Sequence, residues 1–155
     1  MKKEYILILI ILLLFTGCEK KTNNKENNEY ENISCYKELE EDDIVTASRV
    51  DATYDNNKLY KVSILDKVIF SNDSLKYLIN EVEYFKKYYD NKNKINGVTT
   101  EFESDETSYT ATITINYDII KKSDLENLDI NYNFNKNITK TDLISKLETD
   151  NYICE

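Results

Sequence analysis

Tyr109-Thr110-Ala111-Thr112-Ile113-Thr114-Ile115-Asn116-Tyr117 carries apolar residues at every odd position and polar ones between them. A period of two belongs to a strand with one face buried and the other in water, as antiparallel sheets permit. The same alternation recurs where Leu128, Ile130, Tyr132 and Phe134 interleave with Asp129, Asn131 and Asn133. Upstream, Ile44 to Tyr54 and Leu59 to Phe70 are β-rich runs separated by Asp55-Asn56-Asn57-Lys58, which predicts a hairpin. Near Asp66 the apolar phase drifts, which predicts a bulge or an early end to regular pairing. Val98 to Ser104 reads as a further strand, turning back through Asp105-Glu106-Thr107.

Two stretches switch to a helical period. Leu75, Leu78, Ile79, Val82, Phe85 and Tyr89 recur at helical spacing behind the capping candidates Ser71, Asn72 and Asp73. This helix is expected to end around Asp90 to Asn93, with Gly97 supplying the turn that follows. A shorter helix is expected from about Thr141 to Glu148, with Leu143, Ile144 and Leu147 inward. The predicted order is β-β-α-β-β-β-α. That is an α+β fold, an antiparallel sheet of about five strands with one long and one short amphipathic helix. The 155 residues have room for one such domain, placed at Ile33 to Glu155.

Composition removes most catalytic classes. The chain has no His, one Arg (Arg49) and two Gly (Gly17 and Gly97). Without His, imidazole-activated nucleophiles and HExxH zinc sites are excluded. With two distant glycines, neither a phosphate-binding loop nor a dinucleotide fingerprint can be written. A net charge of −9 makes nucleic acid a poor partner. No cofactor and no metal site is expected. Glu38, Glu40, Glu41, Asp42 and Asp43 are clustered carboxylates but read as a solvated acidic lead-in.

The N-terminus has the form of an export signal. Lys2 and Lys3 precede an apolar run from Ile6 to Phe15, ten residues against the ~20 needed to span a bilayer. Phe15-Thr16-Gly17-Cys18 resembles a bacterial lipobox, with Phe15 where Leu is usual. On that resemblance, residues 1–17 are a signal peptide and Cys18 is the lipidated residue. Two acyl chains there would hold the protein on the membrane. Residues 18–32 would form a flexible, Asn-, Lys- and Glu-rich tether. Loss of Lys2, Lys3 and Glu4 leaves a net charge of −10, which keeps the domain off an anionic lipid surface.

With Cys18 lipidated, Cys35 and Cys154 remain. An exported domain permits them one pairing, as a structural disulfide closing a loop of about 120 residues. The alternative is two free thiols. Zinc binding and redox activity are disfavoured, since neither His nor a CxxC is present.

These features together resemble the YehR-like group of small bacterial lipoproteins. The resemblance rests on the lipobox, the tether, Cys35-Tyr36, the hairpin, the amphipathic helix and Gly97-Val98. It rests also on the alternating strand ending at Tyr117-Asp118 and on the short helix closing on Tyr152-x-Cys154. Asn151 stands where the group often has Gly. The resemblance implies an exported α+β domain and the cysteine pair, and it transfers no catalytic residue.

On the long helix, 100° per residue sets Tyr77, Tyr84 and Tyr88 away from the core stripe as a docking strip for a protein or envelope polymer. The bland alternative is that these rings are covered by the chain itself or lie along its surface. The expected function is therefore a lipid-anchored, extracytoplasmic, non-enzymatic binding domain at the cell membrane. The alternative is a small hydrolase acting on envelope material through paired carboxylates, recognisable by a pocket in which one of the two is desolvated.

Overall fold

The computed structural model describes residues 30–41, 44–71, 75–128, 130 and 134–155, with 75–80 described through their backbone. The signal segment, Cys18, residues 19–29, Asn72 and Asp73 lie outside the described residues. Among the described residues are six strands and three helices: β1 (Tyr30–Glu41), β2 (Ile44–Asp55), β3 (Lys58–Phe70), α1 (Leu75–Lys92), β4 (Val98–Ser104), β5 (Ser108–Asn116), α2 (Lys122–Glu126), α3 (Lys140–Thr149) and β6 (Ile153–Cys154). The strands form one antiparallel sheet in the order β4-β5-β3-β2-β1-β6.

The α+β class holds, and the elements differ from expectation at four places, one of them the unexpected two-residue strand β6. β1 begins at Tyr30, inside the stretch read as tether, and its last four residues are the start of the stretch read as acidic lead-in. This strand pairs with β2 through all twelve of its residues but meets β6 only at Cys35 and Tyr36. An edge strand keeps its outer half wet, so Glu38, Glu40 and Glu41 can sit in it, while Asp42 and Asp43 lie outside the described residues. The expected strand at 128–134 is replaced at its described positions by a bend at Leu128 and irregular chain at Ile130 and Phe134; residues 129 and 131–133 lie outside the described residues. α2 is a five-residue helix that no apolar period announced.

Local chemistry accounts for the turns. Asn56 and Asn57 join β2 to β3 at φ 48° and 64°, the left-handed pair that a two-residue hairpin requires and Asn tolerates. The sheet's irregularity lies near this turn and not at Asp66. Tyr54 faces Leu59 and Thr53 faces Lys61, so Tyr60 is the extra residue and the buried phase passes from Leu59 to Val62. Asp105 closes the β4–β5 hairpin by accepting from the Thr107 and Ser108 N–H groups, each at 2.8 Å. Those bonds hold its carboxyl below the usual range. Thr139 caps α3, accepting from Asp142 N–H at 3.1 Å while its hydroxyl donates to the Asp142 carboxylate at 2.7 Å.

Gly97 precedes β4 at φ 88°, and a Cβ there would stand 2.6 Å from the Ile120 backbone nitrogen. Conformation and contact both demand glycine. Gly97→Ala is expected to cost about 1–3 kcal/mol, read as a lower urea midpoint with an unchanged slope.

The core forms two clusters on the inner face of the sheet. Under α3, Cys35, Val50, Val62, Ile115, Leu143 and Leu147 belong to the larger buried cluster. Under α1, Phe70 and Tyr109 are buried with Val68, Val82, Phe85 and Phe102 packed against them. Register sets a row across the same inner face between these clusters: Lys37, Ser48, Asp66, Ala111 and Phe102 on β1, β2, β3, β5 and β4. Three polar residues in that row divide the apolar face in two. The phase drift near Asp66 is this polar insertion, and pairing continues unbroken through it.

Candidate binding cleft

Where the polar row crosses the sheet, a cleft of about 700 Å³ opens between α1 and the inner face of β1, β2 and β3. Its floor is Ser48, Ile64 and Asp66, and one wall is Glu81, Tyr84, Phe85, Tyr88 and Tyr89 of α1. Tyr109 and Tyr152 close it from β5 and from the turn before β6. Exposed Leu39 and Tyr84 stand at its mouth.

The floor is a hydrogen-bonded chain. Ser48 Oγ donates to Asp66 Oδ1 at 2.5 Å, and Ser48 Oγ lies 2.7 Å from Tyr152 Oη. With the serine proton committed to the carboxylate, the tyrosine hydroxyl donates to Ser48. The Lys37 ammonium sits 4.5 Å from the centre of the Tyr152 ring. Burial pushes the Asp66 carboxyl above its ordinary range, outweighing the Ser48 bond and the nearby Lys37. Tyr89 is pushed up to about 12, by burial first and then by Asp66 and Tyr88. Tyr109 is pushed up further, by burial and then by Glu81, Tyr89 and Asp66. Both phenols therefore stay protonated, as donors, across the physiological range.

The raised Asp66 pKa has a consequence for stability. The native state binds this proton more tightly than the unfolded chain does, so stability falls as pH rises through and above 3.8, the ordinary value. Asp66→Asn keeps an acceptor for Ser48 and removes the desolvated charge. It is expected to raise Tm at pH 7 by about 4 °C, the shift that ~1 kcal/mol produces in a domain of this size. The gain should vanish below pH 3.8, where the native carboxyl is also neutral. Thermal scans of both proteins at the two pH values check this.

The tyrosine strip is placed differently from the expectation of a face opposite the core. Among the described side chains of α1, Val82, Phe85 and Tyr89 pack inward. Tyr84 and Tyr88 lie on the flank beside them, where they line the cleft. Tyr84 is 66% exposed and Tyr88 half-buried, with the Lys92 ammonium 4.8 Å from the Tyr88 ring centre. The Tyr77 side chain lies outside the described residues. Asp66 and Ser48 were missed as site residues. Their signal was polar side chains at inward positions, Thr46 and Ser48 before Val50 in β2 and Asp66 between Ile64 and Val68 in β3.

Cys35 and Cys154 face each other in register on β1 and β6, with their sulfurs 2.03 Å apart. Bonds between Ser34 and Glu155 flank the pair in both directions. Among the described residues, no group of three or more His, Cys, Asp or Glu is arranged to hold a metal ion. No described helix is long and apolar enough to cross a membrane.

Two solved structures share this architecture. The solution structure of E. coli YehR superposes with a TM-score of 0.56 at 16% identity, covering 83% of this chain and 92% of that one. The chain has a YehR-like fold. An NMR structure of a protein from Streptococcus pneumoniae TIGR4 superposes with a TM-score of 0.58 at 15% identity, covering 91% and 94%. No family model and no curated protein matches the sequence.

Proposed function

We propose that this chain is a YehR-like lipoprotein whose domain binds a protein, peptide or envelope polymer in the cleft beneath α1, without chemistry. Cys18 carries the lipid, and residues 19–29 hold the domain away from the membrane on its extracytoplasmic side. The observation that carries the binding reading is the cleft itself, a concavity walled by aromatic side chains around a desolvated carboxylate. The address is supported by the charged, apolar and Gly-Cys segments of the N-terminus.

Two measurements test this. Intact mass spectrometry of natively expressed protein should find residues 1–17 removed and a diacylglyceryl group on Cys18; a free thiol there sinks the anchor. A photo-crosslinking residue at position 84 on intact cells should capture one discrete species. The same residue at Thr112, on the outer sheet face, should not. Equal yields at both positions would sink the cleft.

A second reading has its own support. Asp66 and Glu81 line the same cleft, and Asp66 is the desolvated member that paired-carboxylate hydrolysis needs. Turnover of cell-wall glycan by the wild type, abolished in both Asp66→Asn and Glu81→Gln, would replace binding by catalysis.

A further inference from the structure

The polar row poses a question that packing alone does not answer. Asp66 occupies an inner sheet position flanked by Ile64 and Val68, where the pattern of β3 calls for an apolar residue. Its Oδ1 accepts from Ser48, and among the described residues no hydrogen bond reaches Oδ2. Burial raises the proton affinity of this carboxylate even with Lys37 nearby, so a second cation in the cleft would relieve it further.

The rings around it are suited to receive one. Aromatic faces carry negative charge density and attract ammonium groups at about 6 Å or less from the ring centre. This chain already uses the cleft's rings in that way. Lys37 sits over Tyr152 at one end and Lys92 over Tyr88 at the other, at 4.5 and 4.8 Å. Tyr89 and Tyr109 line the same cleft, and their hydroxyls both feel the Asp66 charge. Glu81 adds a second carboxylate to the α1 wall, so the lining is net anionic despite Lys37. The whole chain, at −9, steers cations toward it.

We propose that the cleft recognises a lysine side chain of an extended peptide segment, its ammonium set against Asp66 beside the hydroxyls of Tyr89 and Tyr109. This rests on the binding reading and names its ligand. The alkyl stem of a lysine would run along Phe85 and Ile130, and the peptide backbone would lie at the mouth beside Leu39 and Tyr84. A volume of about 700 Å³ admits a residue of that size with its neighbours. Lys37 is then the competitor for Asp66, not its permanent partner.

The test is an NMR titration of the full folded domain with acetyl-Ala-Lys-Ala-amide. Its norleucine analogue, butylamine and chitotriose serve as separate arms. The lysine peptide is expected to shift the amides of Ser48, Asp66, Tyr89 and Tyr109, and to bind at least tenfold tighter than the norleucine peptide. Asp66→Asn, which preserves the Ser48 bond, should weaken it at least tenfold while leaving the amide spectrum dispersed. Lys37→Met should tighten it a few-fold. Norleucine and lysine peptides binding equally, or Asp66→Asn binding like wild type, overturns the inference. Butylamine binding as tightly as the lysine peptide overturns the peptide source. Chitotriose shifting the cleft while the lysine peptide does not overturns the inference and leaves the binding reading standing. That reading falls separately, through the crosslinking yields at position 84.

Discussion

Replacing Cys35 and Cys154 together by alanine is expected to lower the unfolding free energy by about 3–5 kcal/mol. The two sulfurs close a loop with a sequence separation of 119, for which chain entropy sets a ceiling near 5 kcal/mol. Beside the cross-link, β6 is held by the Ser34–Glu155 bonds and by buried Tyr152. It is two residues long and pairs only with Cys35 and Tyr36, so its own ladder contributes little. Cys35 is fully buried, which makes alanine the better replacement, since serine would add a buried hydroxyl. In a domain of this size the loss corresponds to a fall in Tm of roughly 10–20 °C. Oxidised wild type, reduced wild type and the double variant should be compared by urea unfolding. Reduced protein and variant should share one low midpoint. If oxidised and reduced wild type unfold together, the cross-link is not part of the native protein.

Phe134→Ala is expected to cost about 3–5 kcal/mol, a core-sized loss from a residue that belongs to no helix or strand. Phe134 is 1% exposed and shares a buried cluster with Leu128, Leu143 and Leu147. The Lys146 ammonium lies 5.3 Å from its ring centre, so the ring joins α3 to the sheet by packing and by charge. Truncation leaves a cavity that α3 can fill only by leaving its seat on Leu143 and Leu147. Denaturant unfolding should show the full loss with an unchanged slope. A cost below about 1 kcal/mol would mean that the chain before α3 is not packed against the core.

These two positions mark where the sequence was legible and where it was not. Alternation in Tyr109 to Tyr117 located β5 and its buried face, because that face meets a continuous apolar core. The Asn pair located the hairpin, since the left-handed conformation is a local demand. In Leu128, Ile130 and Phe134 the same alternation was equally clear, yet at these described positions it marks burial outside any strand: Leu128 and Phe134 are core residues in irregular chain. β1 escaped notice because an edge strand with one end free can carry carboxylates at both inward and outward positions. The cleft was illegible for a further reason. Lys37, Ser48 and Asp66 become neighbours only through the register of β1, β2 and β3, and no single segment records that alignment. Of the α1 tyrosines, Tyr84 and Tyr88 were found by period, and both line the cleft. A helix resting on a narrow stripe turns its flanks toward whatever cavity adjoins it.

The position of the cross-link also sets how the domain answers a pull. Tension arriving along the chain from residue 29 enters the fold at Tyr30 and runs down β1. Only the stretch ahead of Cys35 can peel before the load reaches sulfur. From there it is shunted into the C-terminal end of the polypeptide, next to Tyr152 and the floor of the cleft. Force entering at Tyr30 is thus led through the cross-link to the chain beside Tyr152, at the edge of the cleft.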